Sequence, residues 1–147
     1  MTTCDECGAR YAGAGDDCRA RFHHLLALDH SRQEPWGSRH ALAFAAFALQ
    51  HPRQFEAASV SRSRELLTRV VVQREPLAHV VREMRADATP PLAASAGAWA
   101  SGGATYAVTI ADLGDFRAES YPESLERWCR SALEPRVDAR GGGASRA

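Results

Sequence analysis

Cysteines at positions 4, 7 and 18 carry the most readily named chemistry in this chain. Cys4 and Cys7 form a Cys-x-x-Cys turn followed by Gly8. That spacing aims two thiolates at one tetrahedral metal from a single tight loop, and the glycine tolerates backbone angles the loop requires. Cys18 supplies a third sulfur close by. Three thiolates leave one position of a structural site to fill, and the chain offers six histidines: His23, His24, His30, His40, His51 and His79. Sulfur-rich ligation completed by one imidazole favours Zn2+. The competing reading is a redox pair or plain free thiols. A thioredoxin-like redox motif sits where a strand meets a helix, and no strand is expected before Cys4.

The elements around these residues select among the histidines. Asp16 or Asp17 can cap a first helix over residues 18–29, whose Phe22, Leu25, Leu26 and Asp29 recur at helical spacing with Cys18 on the same face. After a loop containing Pro35, Trp36 and Gly37, Ser38 can cap a second helix over residues 40–51 that stops at Pro52. Its inward stripe is His40, Phe44, Phe47 and His51. Each helix is roughly 16 Å long at 1.5 Å per residue. A short connection makes them antiparallel neighbours, which sets Cys18 beside His51 at one end of the hairpin. The expected donor set is Cys4, Cys7, Cys18 and His51, with His40 or His23 as rivals for the fourth place. Residue 51 also suits a second role, a helix-end histidine bonding the last carbonyls. Four protein ligands leave no open position for substrate, so the metal would be structural, tying a Gly-rich segment to the helices.

The same geometry brings Asp29 to His40 at the other end. A carboxylate on an apolar stripe needs a partner, and His40 is placed to be one. The pair reads either as an acid/base or open metal site, with Asp29 and His40 the catalytic candidates, or as a structural hydrogen bond fixing the helix ends. No nucleophile or third catalytic group accompanies it, which favours the structural reading.

The remaining pattern is helical. A third helix is expected over residues 60–74, although Val70, Val71 and Val72 have strand propensity. A fourth starts at Pro76 with Leu77, Val80, Val81 and Met84 as its stripe, and a last one starts at Pro122 with Leu125, Trp128, Cys129 and Leu133 inward. Residues 88–105 read as a long loop, and residues 106–110 as packed coil. The expected fold class is all-α, about five helices, with a zinc-knuckle-like loop over residues 1–18. Residues 1–136 form one domain and residues 137–147 a disordered tail.

Composition narrows the function classes. With 147 residues, 45% hydrophobic and zero formal net charge, the chain suits one globular domain without a basic field for nucleic acid or an anionic membrane. All eighteen formal positive charges are Arg, so lysine chemistry is excluded. Arg62, Arg64, Arg69 and Arg74 lack interleaved aromatics and read as an exposed helix face; Asp112, Asp115, Glu119 and Glu123 read as solvated surface or helix-start charge. His79 falls on an exposed face and Cys129 in the core. No apolar run of about 18 residues predicts a membrane helix and no signal peptide is visible, so a cytoplasmic location is expected, where paired cysteines favour metal over disulfide.

The chain resembles a family of small bacterial proteins known only as a domain of unknown function. The resemblance rests on Cys4, Cys7 and Gly8, on Cys18 followed by Phe22 and the Leu25 to Asp29 run, on His40 leading to Gln50, His51 and Pro52, and on Trp128 in the last helix. Covering most of residues 4–134, it implies a mostly helical protein with an N-terminal zinc-knuckle-like segment and supplies no activity. Members often carry Glu at the position of Asp29, an acidic residue at Ala45 and Tyr at Phe47, and the missing acid at Ala45 weakens a catalytic reading of the second helix. The function expected is a zinc-binding helical accessory module acting through a protein partner or small molecule, with a small metalloenzyme using His40, Asp29 and His51 as the alternative.

Overall fold

Asp17 sets the first helix. Its side chain accepts the Ala20 amide at 2.8 Å, satisfying a donor that has no partner inside the opening turn. Helix α1 then runs over Cys18–His30 and buries Cys18, Phe22, Leu25 and Asp29, one face at 3.6-residue spacing. The computed structural model describes residues 1–87 and 104–137.

Helix α2 (His40–Gln50) is the centre of the molecule. Ala43, Ala45, Ala46, Phe47, Ala48, Leu49 and Gln50 are all buried, and a helix covered on most of its circumference must be apolar nearly all round. The alanines let neighbours approach closely. α3 (Ala57–Leu67) packs most extensively against it, followed by α5 (Tyr121–Ala132). No side chain caps α2. Ser38, expected as the cap, instead bonds the Glu34 carboxylate through its hydroxyl (2.6 Å) and amide (3.1 Å), inside the 3-10 turn Gly37–Arg39 that precedes the helix.

α3 starts earlier than residue 60 and widens at its end into a π-helical turn, Thr68–Val72, closed by the Gln73 amide on the Thr68 carbonyl at 3.0 Å. Burial of Val71 and packing of the preceding helix override the strand propensity of the three valines. Arg69 then grips Glu75 through two bonds of 2.8 Å and also bonds Glu83, linking the π turn to α4 (Leu77–Ala86). Pro76 occupies the residue just before that helix rather than its first position. The arginines expected to form a solvated face are thus engaged: Arg74 also pairs with Glu126 at 3.2 Å, and Arg64 is half-buried near Tyr106.

The core closes on α5, where Trp128 and Cys129 are fully buried. Gln50, also fully buried, joins three parts of the chain. Its Nε2 donates to the Val108 carbonyl at 2.8 Å, and its Oε1 accepts from the Trp128 indole at 2.9 Å. Arg21 extends from α1 to the Ile110 and Gly114 carbonyls, lying over the Phe116 ring. Asp112 closes a capping box with Thr109 at the 3-10 turn Ile110–Leu113, one acidic residue with a helix-start role.

Extended structure is confined to two short antiparallel pairs among the described residues. β1 (Thr2–Thr3) pairs with β2 (Arg10–Tyr11), and β3 (Ala104–Thr105) with β4 (Arg136–Val137). The expected all-α class is what the five helices give. Val137, expected to open the tail, pairs with Ala104. The loop expected over 88–105 falls outside the described residues up to position 103, as does the tail beyond Val137. No helix of the described residues is long and apolar enough to cross a membrane.

Candidate metal centre

The antiparallel course of α1 and α2 sets the first residue of one beside the end of the other. Cys18 opens α1, and His51 follows the last residue of α2. The β1–β2 hairpin folds the segment carrying Cys4 and Cys7 onto that end. One donor atom from each of Cys4, Cys7, Cys18 and His51 lies within 4.8 Å of all the others. Cys7, Cys18 and His51 are buried, and Cys4 is partly so. The Cys7 and Cys18 sulfurs are 3.6 Å apart. Two sulfurs on a tetrahedral zinc at 2.3 Å would lie about 3.8 Å apart, whereas a disulfide requires about 2.05 Å.

The imidazole supplies the sharpest test of fit. His51 is fully buried, and its Nδ1 bonds the Phe47 carbonyl at 3.0 Å. That bond places the proton on Nδ1 and leaves the Nε2 lone pair free. Nε2 is buried and has no hydrogen-bond partner. An orphaned acceptor costs free energy unless something electrophilic meets it, and the three sulfurs around it are what a soft divalent cation needs. The two roles expected of His51 are therefore compatible: one nitrogen caps the helix end while the other faces the thiols. Phe47 also stacks on the imidazole, with ring centroids 4.0 Å apart, which fixes the ring plane.

Sequence reasoning missed the residues that surround the donors. Tyr11 donates its hydroxyl to the Cys18 sulfur at 2.9 Å, and burial pushes its own ionisation up. Glu6, between the two cysteines, accepts the Arg53 amide and the Gln54 side-chain amide, both at 2.9 Å, which pins the knuckle to the turn after α2. A buried aromatic in an otherwise polar, Gly-rich segment was the available signal for Tyr11; Glu6 left none, because its partners are distant in sequence.

Electrostatics favour a cation at this point. The Cys4 thiol is held well below its usual range by hydrogen bonds from Cys18 and then Cys7, while Cys7 is pushed up by Cys18, then Cys4, and by burial. One thiolate forms readily; further ones are opposed by like charge and low dielectric. Burial works to lower the pKa of His51, but the neighbouring Cys18 and Cys4 sulfurs, with the Phe47 carbonyl, outweigh it and bring it up to about 9. Clustered thiols and an imidazole that draws positive charge are the arrangement a divalent ion neutralises, displacing the protons.

Gly8 makes the knuckle possible. Its φ is +81°, and the Cys4 carbonyl accepts the Gly8 amide at 2.9 Å. A Cβ there would stand 3.2 Å from Thr105 Cγ2, on β3. Gly8→Ala is expected to destabilise the protein by about 1–2 kcal/mol, measurable by chemical denaturation, from left-handed strain added to a tight contact.

The opposite end of the hairpin holds the second expected pair. His40 Nδ1 meets Asp29 Oδ2 at 2.9 Å, with the Asp29 side chain 1% exposed and His40 43%. This bond raises the His40 pKa above 6.5, burial opposing it. The stabilisation is fully present below the unfolded value near 6.5 and is lost as pH rises through the raised folded value. In an NMR titration His40 is expected to titrate above 6.5, and Asp29→Asn to bring it to that value or lower. His40 and His23 are not members of the sulfur cluster; His23 is exposed on α1. His79 lies in a surface group with Glu75 and Glu83. Arg69 already occupies both carboxylates of that group. Cys129 is fully buried, its ionisation pushed up by burial, and stands apart from the cluster.

Fold and donors together define a small, mainly helical protein whose N-terminal hairpin and central helix form a Cys3His cluster able to hold a metal ion. The chain belongs to a family of unknown function, DUF5946, whose sequence model matches residues 2–135. No curated protein and no solved structure matches it.

Proposed function

We propose that Cys4, Cys7, Cys18 and His51 hold a Zn2+ ion in a closed, structural site, and that the protein is a metal-stabilised helical accessory module. The observation that carries this reading is the buried, unpartnered His51 Nε2 amid three sulfurs. The ion would substitute for the core that the N-terminal segment lacks, since residues 1–17 contribute few large apolar side chains. Free thiols at this spacing fit a reducing compartment, so a cytoplasmic setting completes the reading.

Elemental analysis and X-ray absorption on the purified chain test it. One zinc per chain with three sulfur and one nitrogen neighbours is expected; a shell of mostly nitrogen and oxygen with a bound water would overturn it. The rival reading is a metalloenzyme built on Asp29 and His40. Its support is the 2.9 Å pair, but no third donor groups with those two among the described residues, and an open catalytic metal commonly keeps three protein ligands.

A further inference from the structure

A groove opens along α4 where that helix crosses α2 and α3, away from the sulfur cluster. α4 has a clear apolar stripe, yet only Val80 on it is fully buried; Leu77, Val81 and Met84 remain partly exposed. Between that stripe and the central helix lies a cavity of about 400 Å³. Phe44, Ala45, Leu66, Val81 and Met84 form its apolar walls. A second depression of about 620 Å³ continues from it along the start of α4. His40, Ala41, Val81 and Arg85 line both, so the two meet at His40 and Arg85. Sites for small organic ligands have this size and character: apolar walls and a few convergent polar groups.

The polar groups at the junction share one sign. Among the described residues no Asp or Glu lines either depression, while His40, Arg39, Arg62 and Arg85 do. Arg39 is balanced by Glu34 at 3.4 Å. Arg85 makes no ion pair among the described residues. His40 is oriented from behind: Asp29 accepts from Nδ1, and in the protonated ring Nε2–H is the donor left to meet a ligand, with no partner among the described residues. Among the described residues no hydroxyl is bonded to it. Ser59 and Ser63, which also line the groove, are therefore not activated nucleophiles, and the arrangement binds rather than cleaves.

We propose that this groove binds a small amphipathic carboxylate. The anionic head is held between His40 Nε2 and the Arg85 guanidinium, and the aliphatic tail lies against Phe44, Leu66, Val81 and Met84. The carboxylate supplies the counter-ion that Arg85 lacks among the described residues, and the tail covers the exposed half of the α4 stripe. This site is separate from the Cys3His cluster, and its test does not depend on the metal.

The test is a titration of the full chain, as purified, with decanoate, followed by calorimetry and by amide shifts. Decanol, decyltrimethylammonium and acetate serve as neutral, cationic and tailless comparators. Decanoate is expected to bind one per chain, about tenfold or more tighter than each comparator, shifting amides of α2, α3 and α4. Arg85→Gln, a change at an exposed side chain, is expected to weaken decanoate about tenfold and leave decanol unchanged; His40→Gln acts in the same direction. Met84→Glu is expected to abolish decanoate binding while the far-ultraviolet spectrum is retained. Equal binding of decanol or of the cation overturns the proposal, as does saturation without shifts in these three helices. No binding at millimolar decanoate, or an unchanged affinity in Arg85→Gln, also overturns it.

Discussion

Cys18→Ser is expected to reduce bound metal from one equivalent to near zero and to lower the melting temperature by about 10 °C or more. Cys18 joins the knuckle to α1, and its sulfur lies 3.6 Å from that of Cys7 and 2.9 Å from the Tyr11 hydroxyl. Removing one member of a buried charged cluster typically costs about 3–5 kcal/mol, because the remaining charges stay buried without their partner. For a chain of this size each kcal/mol shifts the midpoint by about 2–8 °C. A chelator should produce a similar loss in the wild type and none in Cys18→Ser. Cys129→Ala provides the contrast: it disturbs the core but should retain the metal, since Cys129 stands apart from the donors. Full occupancy in Cys18→Ser would show the donor set to be wrong.

The second large effect concerns Trp128. It is the largest fully buried side chain among the described residues, and truncation to Ala is expected to cost about 3–5 kcal/mol, from lost apolar burial plus the cavity left behind. Trp128→Phe separates packing from polarity. The aromatic ring largely remains, but the indole donor to Gln50 Oε1 is gone. An orphaned buried acceptor should cost about 1–3 kcal/mol. Urea denaturation measures both, and metal content should be unchanged in the Phe variant. A Trp128→Phe loss no larger than that of a surface substitution, about 0.5 kcal/mol, would remove Gln50 from its place as a structural link.

Much of this arrangement was legible because it depends on local spacing. Asp17, Pro52 and Pro122 mark helix ends by their own chemistry, and the short 30–40 connection makes antiparallel neighbours, so Cys18 meets His51 and Asp29 meets His40. What was illegible depends on partners distant in sequence. Ser38 is drawn away from a capping role by its bonds to Glu34, and no side chain replaces it. Gln50 looked like an ordinary helix-terminal residue until Trp128 and Val108 closed on it. The strand pairing of Ala104 and Thr105 with Arg136 and Val137 joins segments too short to announce themselves by alternation. Arginines that read as a solvated face were instead recruited by Glu75, Glu83 and Glu126, because a composition rule cannot see which acids the fold brings near.

The position of His51 also orders events during synthesis. All three sulfurs leave the ribosome well before the imidazole does, and the nascent segment therefore offers an incomplete, thiol-only claw. Its last tooth arrives only when α2 has been made and has turned back along α1. A chain stalled or cut between those points would keep oxidisable sulfhydryls without the imidazole that completes their cluster.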